Sequence, residues 1–561
     1  MTKKNLLTDN FRNKIIELVF DPEYFPLTLE EFTKSLKLRG KAKKSAPAFF
    51  EAMLANGELL KNKQGRLLPG KTDRFLKGTL HVFKSGDGIV ETSQGEVFIE
   101  ESLMKTALDG DEIAVDLTRG SQRADADRKY GRVIQILTRS KRVLTGTVQM
   151  AGKSFRVMPM DGSANRLFRV TDLKGASVGD RVVIRFDSWD TGSSQPLAEI
   201  IEVIGSHQDP ALDTLVAVRH FGLPEEFQSA VIKEAEKSAA LLDEPGERAD
   251  FRDKFVFTID PATARDFDDA ISLETNADGK RILGVHIADV SHFVKMGGEL
   301  DKEAERRGNT VYLPDMVIPM LPEHISNGLC SLRPDEDKLT FSVLLTVDEH
   351  GVVEKAEFTK SIIRSRLRLT YEEVLSILDP PEKPLESVSE LNRETIDLIR
   401  KISRLAQQFR KKRFEALALD LDVPDYEVIV DKNGVILEIK KQSSDFSHQL
   451  IEECMVAANE AVDREISKRG FKTLRRIHEA PSPKRIEDLK TALGEMGMKV
   501  GDLSKRPNLV KFLASIKGHP LEYFLTVTVL KSMKRAEYSP NPVGHFGLAK
   551  TFYAHFTSPI R

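Results

Sequence analysis

Apolar positions at helical spacing recur three times before residue 70. Ile15, Ile16, Leu18 and Val19 form the first set, and the prolines at 22 and 26 interrupt it. Leu29, Phe32, Leu36 and Leu38 form the second, and Phe49, Phe50, Met53 and Leu54 the third. Asn56-Gly57 closes that helix, and LLKNKQGRLLP reads as two short strands about Gly65. Three helices and a hairpin follow the order of a winged helix, expected over residues 1–71. Lys41, Lys43, Lys44, Lys61, Lys63 and Arg66 are then available to phosphates. A purely structural helical bundle fits the same spacing.

From Phe75 the hydrophobic period becomes two. GTLHVFKSGDGIVETSQGEVFIEE alternates short β-rich runs with glycine-containing turns, and TGTVQMAGKSFRVMPMD opens a second block of the same kind. Each block starts on a Gly-Thr strand and carries Gly-Asp ahead of an apolar strand, at Gly110-Asp111 and Gly179-Asp180. This repeat predicts two tandem five-stranded barrels of the OB or cold-shock type, over 72–138 and 139–206. His81, Phe83, Phe98 and Phe155, with Arg156, are candidate base-stacking positions, and each aromatic is equally a candidate for a barrel core. Residues 207–249 read as a helical linker ending at Pro245-Gly246, and 250–561 as one large α+β domain. The expected architecture is therefore multidomain.

Composition adds limits. Hydrophobic residues make up 40% and charged residues 30% of 561, an ordinary globular balance that excludes wholesale disorder. The net charge of −2 suggests no polyanionic partner, but residues 1–71 hold 14 Lys+Arg against 8 Asp+Glu. A basic end on an acidic body suits contact with a polyanion, and a solvated basic face explains the charge equally well. Two cysteines, Cys330 and Cys454, exclude a disulfide scaffold and a cysteine-rich zinc site and fit a reducing compartment. No apolar run reaches signal-peptide or membrane-span length, so a soluble cytoplasmic protein without a membrane partner is expected.

The chemistry concentrates in FVFTIDPATARDFDDAISLE. Asp260 stands at the end of an apolar strand, and Asp266, Asp268 and Asp269 follow closely. Carboxylates gathered beside apolar strands repel one another and lose solvation unless a cation neutralises them. All-oxygen donors point to magnesium, with manganese also able to serve, rather than to zinc. A solvated acidic loop is the alternative; the flanking strands VFTI and AISL argue against it. An EF-hand fails because Ala262, Ala264, Arg265 and Ile271 occupy positions where that loop needs ligands and glycine. No GxxxxGK[ST] motif supports nucleotide-driven work.

TIDPATARDFDDA resembles the signature of the ribonuclease II / ribonuclease R family of 3′-to-5′ exoribonucleases. The resemblance continues in order through LGVHIADVSHFV, RGNTVYLPDMVIPMLP, SNGLCSLRPDEDKLTFSV, RSRLRLTYEEV, HQLIEECMVAANE, LKSMKRAEYSP, GHFGLA and YAHFTSPIR. The upstream helical module and paired barrels resemble the ribonuclease R branch. The resemblance implies an RNB catalytic domain over 250–561, and a magnesium-dependent, processive exoribonuclease releasing nucleoside 5′-monophosphates, including from structured RNA with a 3′ single-stranded tail. It implies that Asp260, Asp266 and Asp269 hold metal, while Asp268 is the carboxylate whose loss most directly stops cleavage. It further implies that Arg561 reaches the scissile phosphate, that Tyr312 stacks on the 3′ bases, and that Glu453 lies near the terminal ribose. On spacing alone, Glu453 is an ordinary helix-surface residue. A monomer is expected.

His286, His292, His545 and His555 are read as structural, since carboxylates already account for a metal. The family's second stacking aromatic should fall near ALALDLD, where this chain has Leu417, Leu419 and Leu421, so an aliphatic clamp is expected there. The chain stops at Arg561 inside a family block, which suggests a C-terminally truncated form. The rival class is a non-catalytic RNA-binding regulator that works through its barrels; clustered carboxylates that repel phosphate argue against it.

Overall fold

The computed structural model describes residues 11–560 except 13, 17, 21–23, 37–39, 71–74, 84, 119–128, 140–142, 153, 161–166, 190–194, 244, 382–384, 422, 443–444 and 559. Arg561 also lies outside the described residues, as do the side chains of Lys41, Lys43 and Lys44. The chain forms two compact units, one of residues 1–223 with 432–435 and one of 224–431 with 436–561.

The first unit opens with helical residues between 11 and 19, then helices Leu29–Ser35 and Gly40–Ala55. Thr28 caps the first of these helices: its hydroxyl accepts from Glu31 N–H, and the Glu31 carboxylate accepts from Thr28 N–H. Strands β1 (Leu59–Lys61) and β2 (Leu67–Pro69) form the hairpin, and Thr28 bridges to Arg66 beside it. Ile15, Ile16, Phe32, Phe50 and Leu59 are buried in one core that also takes in Ala114 and Ile134 of the following barrel.

Two closed five-stranded barrels follow. The first comprises β3 (Leu76–Val82), β4 (Gly88–Thr92), β5 (Gly95–Ile99), β6 (Glu112–Thr118) and β7 (Lys129–Thr138). The second comprises β8 (Val143–Ala151), β9 (Ser154–Pro159), β10 (Phe168–Val170), β11 (Asp180–Ser188) and β12 (Leu197–Ser206). The repeated Gly-Asp has a structural cause. Gly110 and Gly179 both adopt positive φ, at 77° and 93°. The aspartate after each accepts a backbone N–H three residues upstream, Leu108 to Asp111 at 2.8 Å and Ser177 to Asp180 at 2.7 Å. One turn design thus starts the equivalent strand in both barrels. The stretch 207–249 divides between the units: helix Asp213–Phe221 belongs to the first and Ser229–Ser238 to the second.

The second unit contains a closure that the α+β expectation did not include. Strands β13 (Ala249–Asp260), β14 (Asp269–Thr275) and β15 (Arg281–Ala288) precede a short hairpin, β16 (Val311–Tyr312) with β17 (Val317–Ile318). Strands β18 (Asp337–Val347) and β19 (Val353–Thr370) then complete a third closed barrel in the order β13-β14-β15-β18-β19. It closes because β19 returns parallel to β13, pairing Thr370 with Asp260. Helices Tyr371–Leu378, Arg393–Glu415 and Phe446–Lys468 share its core through Val374, Ile402 and Cys454. A separate helical core lies further along the chain, around Leu493, Leu509 and Leu525. No helix among the described residues is long and apolar enough to cross a membrane.

Candidate active site

The four aspartates lie where two barrel strands meet a connecting loop. Asp260 is the last residue of β13 and is buried at 4% exposure. Its strand partner Thr370 caps the next helix by a reciprocal pair with Glu373, which fixes this end of the barrel. Asp268 is 7% exposed; its carbonyl accepts from Ala288 N–H at 3.1 Å, and Asp269 begins β14 opposite Ile287. Asp266 projects from the loop, and the Tyr312 hydroxyl donates to its Oδ2 at 3.1 Å.

Side chains from other elements hold this loop at both ends. Arg368 donates to the carbonyls of Pro261 at 2.7 Å and Ala262 at 3.1 Å, with its guanidinium 5.4 Å from the Phe267 ring. Ser331, fully buried, accepts from Phe267 N–H at 3.1 Å and donates to the Arg265 carbonyl at 2.8 Å. Leu332 N–H donates to the Phe267 carbonyl at 2.7 Å. Nothing in the alternation of RSRLRLT or CSLRP singled out Arg368 or Ser331 for this work. Ser558 anchors the final segment by donating to the Ala288 carbonyl at 3.1 Å, and Ile560 is buried with Phe267 and Ala288.

Among the described residues, no three His, Cys, Asp or Glu side chains converge closely enough to form a ready metal cage. The donor chemistry nevertheless fits a hard divalent cation. Four carboxylates share one short stretch on a fixed backbone, and the histidines nearby in sequence are engaged elsewhere. His286 bonds Ser272 at 3.0 Å and Ser342 at 2.6 Å, and its burial lowers its pKa to about 3. His292 Nε2 bonds the Leu241 carbonyl at 2.9 Å.

Glu453 is a buried residue of helix Phe446–Lys468, at 1% exposure, where spacing alone would place it on the surface. It is paired with Arg413, whose Nε lies 3.1 Å from Oε1, and Arg410 stands 3.7 Å away. The buried Cys454 thiol is pushed up to about 12, first by burial and then by the charges of Glu453 and Asp269. The aliphatic clamp does not materialise at Leu419, which is buried among Leu489, Leu509 and Leu525 in the helical core. Phe414 instead packs on the guanidinium groups of Arg410 and Arg413.

On the first barrel, register aligns His81 with Ile89, Ile89 with Phe98 and Phe98 with Tyr130, a row across four strands. Alternating Leu80, Val90 and Val97 fill the interior, so the row lies on the outer surface. Tyr130 belongs to this row, its ring packed edge to face on Phe98, and is not legible from the sequence because its partner strand is distant in the chain. Phe83 is exposed just after β3. Phe155 is half-buried: it pairs with buried Val170 on one side and exposed Met150 on the other, and packs against the interior of the second barrel.

Two five-stranded barrels of a kind suited to single strands accompany a third whose rim carries four aspartates. Residues 248–561 match the RNB domain and 157–228 the cold shock domain. Ribonuclease R of Aquifex aeolicus is 35% identical over 554 residues, covering 96% of this chain and 76% of that protein. Ribonuclease R of Thermotoga maritima is 34% identical over 570 residues, covering 98% and 78%. The chain belongs to the RNB family, in its ribonuclease R group, and is an exoribonuclease by that membership. The structure of Mycoplasma genitalium RNase R in complex with ribose-methylated single-stranded RNA superposes with a TM-score of 0.79 at 25% identity, over 87% of this chain and 77% of that one. Yeast Ssd1, a pseudonuclease, shares the fold at a TM-score of 0.60 and 18% identity, over 92% of this chain and 68% of that one. The fold alone therefore does not decide activity.

Proposed function

We propose that this chain is a processive 3′-to-5′ exoribonuclease that hydrolyses RNA to nucleoside 5′-monophosphates, including structured RNA entered through a 3′ single-stranded tail. The observation that carries this is the intact set Asp260, Asp266, Asp268 and Asp269, on two barrel strands and the loop between them, with that loop braced by Arg368 and Ser331. These carboxylates would hold magnesium, or manganese in its place. Such an ion, when bound, supplies an activated water and neutralises charge at the phosphate.

The protein's own groups do the rest. Tyr312 orients Asp266 through its hydroxyl and offers an exposed ring to the 3′ bases, a contact that ignores base identity. Arg413 holds Glu453 in place for a ribose contact, and Arg561 brings a guanidinium fork suited to a phosphate. His81, Phe98 and Tyr130 form a stacking platform for a single strand, with Phe83 at its edge. We place the protein in the cytoplasm as a monomer.

The fold shared with a pseudonuclease keeps a non-catalytic RNA-binding regulator as the second reading. One assay separates them: end-labelled oligoadenylate with magnesium, products resolved at single-nucleotide length. Mononucleotides released from the 3′ end support the enzyme; binding without any product supports the regulator.

A further inference from the structure

We propose that Asn459 and Asp463, on helix Phe446–Lys468, are positioning residues that hold residues 553–558 as a strap and, through it, set the backbone at Asp268. This deepens the reading of the chain as an RNA-degrading enzyme and rests on it. Residues 552–558 form neither helix nor strand, yet Tyr553, Ala554, Phe556 and Ser558 are all buried. A buried irregular segment has no ladder to satisfy its backbone, so other groups must do so. The helix supplies them from one face, since positions four apart lie one above the other. Asp463 Oδ2 accepts from Tyr553 N–H at 2.7 Å, and Asn459 Oδ1 accepts from Phe556 N–H at 2.6 Å. The Asn459 amide also donates to the Tyr553 hydroxyl at 3.2 Å, and the Tyr553 carbonyl accepts from Arg476 N–H at 3.0 Å.

The other end of the strap lies at the acidic cluster. The Ser558 hydroxyl donates to the Ala288 carbonyl at 3.1 Å, and Ala288 N–H donates to the Asp268 carbonyl at 3.1 Å. The strap thus reaches the backbone of Asp268 through a single residue, and Arg561 follows shortly after Ser558 in the sequence. Its helix end is built at a cost. Asp463 is fully buried, with Arg475 Nε donating to Oδ2 at 2.9 Å and the Ser467 hydroxyl to Oδ1 at 3.1 Å. Such a buried pair is often no more stabilising than apolar side chains of the same volume. A helix that needed only to cover the strap would do so with leucine at both positions. Asn459 and Asp463 instead fix its register, since each bonds one particular N–H. Both act through the strap, so their effect falls on turnover and not on RNA affinity.

The experiment follows the full chain by single-turnover cleavage of oligoadenylate in magnesium, and by oligoadenylate binding and amide hydrogen exchange in chelator. Asn459→Leu removes both bonds at similar volume, Asn459→Asp keeps an acceptor for Phe556 N–H, and Ser558→Ala cuts the other end. For Asn459→Leu and for Ser558→Ala the cleavage rate is expected to fall about 10–100-fold, as for outer-shell partners of metal sites, with affinity unchanged. Exchange at the Ala288 amide should quicken about fivefold or more in both. Asn459→Asp should recover most of the rate and of the protection. The double variant Asn459→Leu/Ser558→Ala should be no slower than the slower single one, because both cuts release one strap. A full rate in folded Asn459→Leu overturns the proposal, as does unchanged exchange at Ala288 or a loss of affinity that matches the loss of rate. Should Asn459→Leu fail to fold, Asn459→Ala takes its place under the same criteria. Wild type that binds but releases no mononucleotide defeats the enzyme reading, and exchange at Ala288 still decides the strap. Active wild type with a full-rate Asn459→Leu defeats the strap alone.

Discussion

The Tyr312 hydroxyl donates to Asp266 Oδ2 across 3.1 Å, tying a half-exposed aromatic to the acidic loop. Tyr312 lies on the short strand β16 and Asp266 between two barrel strands, so the bond joins elements 46 positions apart in sequence. The ring and the hydroxyl therefore have separable duties, one toward bases and one toward a carboxylate.

Tyr312→Phe keeps the ring and removes the bond. The expected result is a fall in turnover of about threefold to tenfold, or about 1 kcal/mol, with the final product length unchanged. Tyr312→Ala also forfeits ~1–3 kcal/mol per stacked base and should leave a longer final oligonucleotide. Single-nucleotide gels of both digests check this; equal end products from all three proteins would remove Tyr312 from substrate contact.

Asp268→Asn keeps the shape of a nearly buried side chain and removes one charge from the cluster. Cleavage should drop by ~10³-fold or more, equivalent to about 4 kcal/mol of transition-state stabilisation. RNA affinity in chelator should hold or rise. Near-normal turnover would show that the aspartates do not carry the chemistry.

Arg368 acts on the cluster only through backbone carbonyls, so its effect should be on geometry. Arg368→Met keeps packing against Phe267 and drops the two bonds to Pro261 and Ala262. By analogy with outer-shell partners of metal sites, manganese affinity and kcat should each fall by about 10–100-fold with the KM for RNA little changed. Calorimetric manganese titration and single-turnover cleavage test this. A variant that binds manganese normally and cleaves at full rate would reduce Arg368 to a structural role.

The sequence exposed what repeats locally. The period-two runs and the twin Gly-Asp turns show both N-terminal barrels, because each strand's pattern and each turn's aspartate are short-range features. The acidic segment is also visible, since four carboxylates beside apolar runs need no partner to be noticed. Long-range closure is what stays hidden. The third barrel depends on β19 returning beside β13, more than 100 residues later, and nothing in either strand announces the pairing. Glu453 is misplaced by spacing for the same reason: its burial depends on Arg413, 40 residues away. Tyr130 joins the aromatic row only through a parallel pairing with Phe98.

The buried Arg413–Glu453 pair makes a different prediction. Removing one partner strands a charge away from water, which costs ~3–5 kcal/mol. Arg413→Met and Glu453→Gln should each lower the melting temperature of the catalytic unit, the double variant by less than the sum. Denaturant titration of all four proteins provides the cycle. Additive losses would mean that the two residues stabilise the fold independently, and Glu453 could then be assessed purely as a substrate contact.

Stability should also fall in mild acid. Burial first, then the charges of His478 and Arg476, hold His545 down at about 4, and burial first and Lys254 hold His286 at about 3. Both are thus neutral in the fold, whereas the same side chains in the unfolded chain take up protons near pH 6.5. Between these limits the unfolded state binds more protons, so stability rises with pH. The contribution is complete above about pH 6.5 and is lost progressively as pH falls toward 4 for His545 and toward 3 for His286. Asp250, held at about 2 by its hydrogen bonds with Arg252, adds its own loss as pH falls from the ordinary carboxylate range toward 2, overlapping only the end of the His286 window. The expected observation is a melting temperature that declines from pH 6.5 to 4.5, with a shallower decline in His545→Gln, whose amide can still accept the Leu548 N–H that Nδ1 accepts at 3.2 Å. A flat profile over that range, or an identical slope in the variant, would show that His545 is not among the groups that set acid stability.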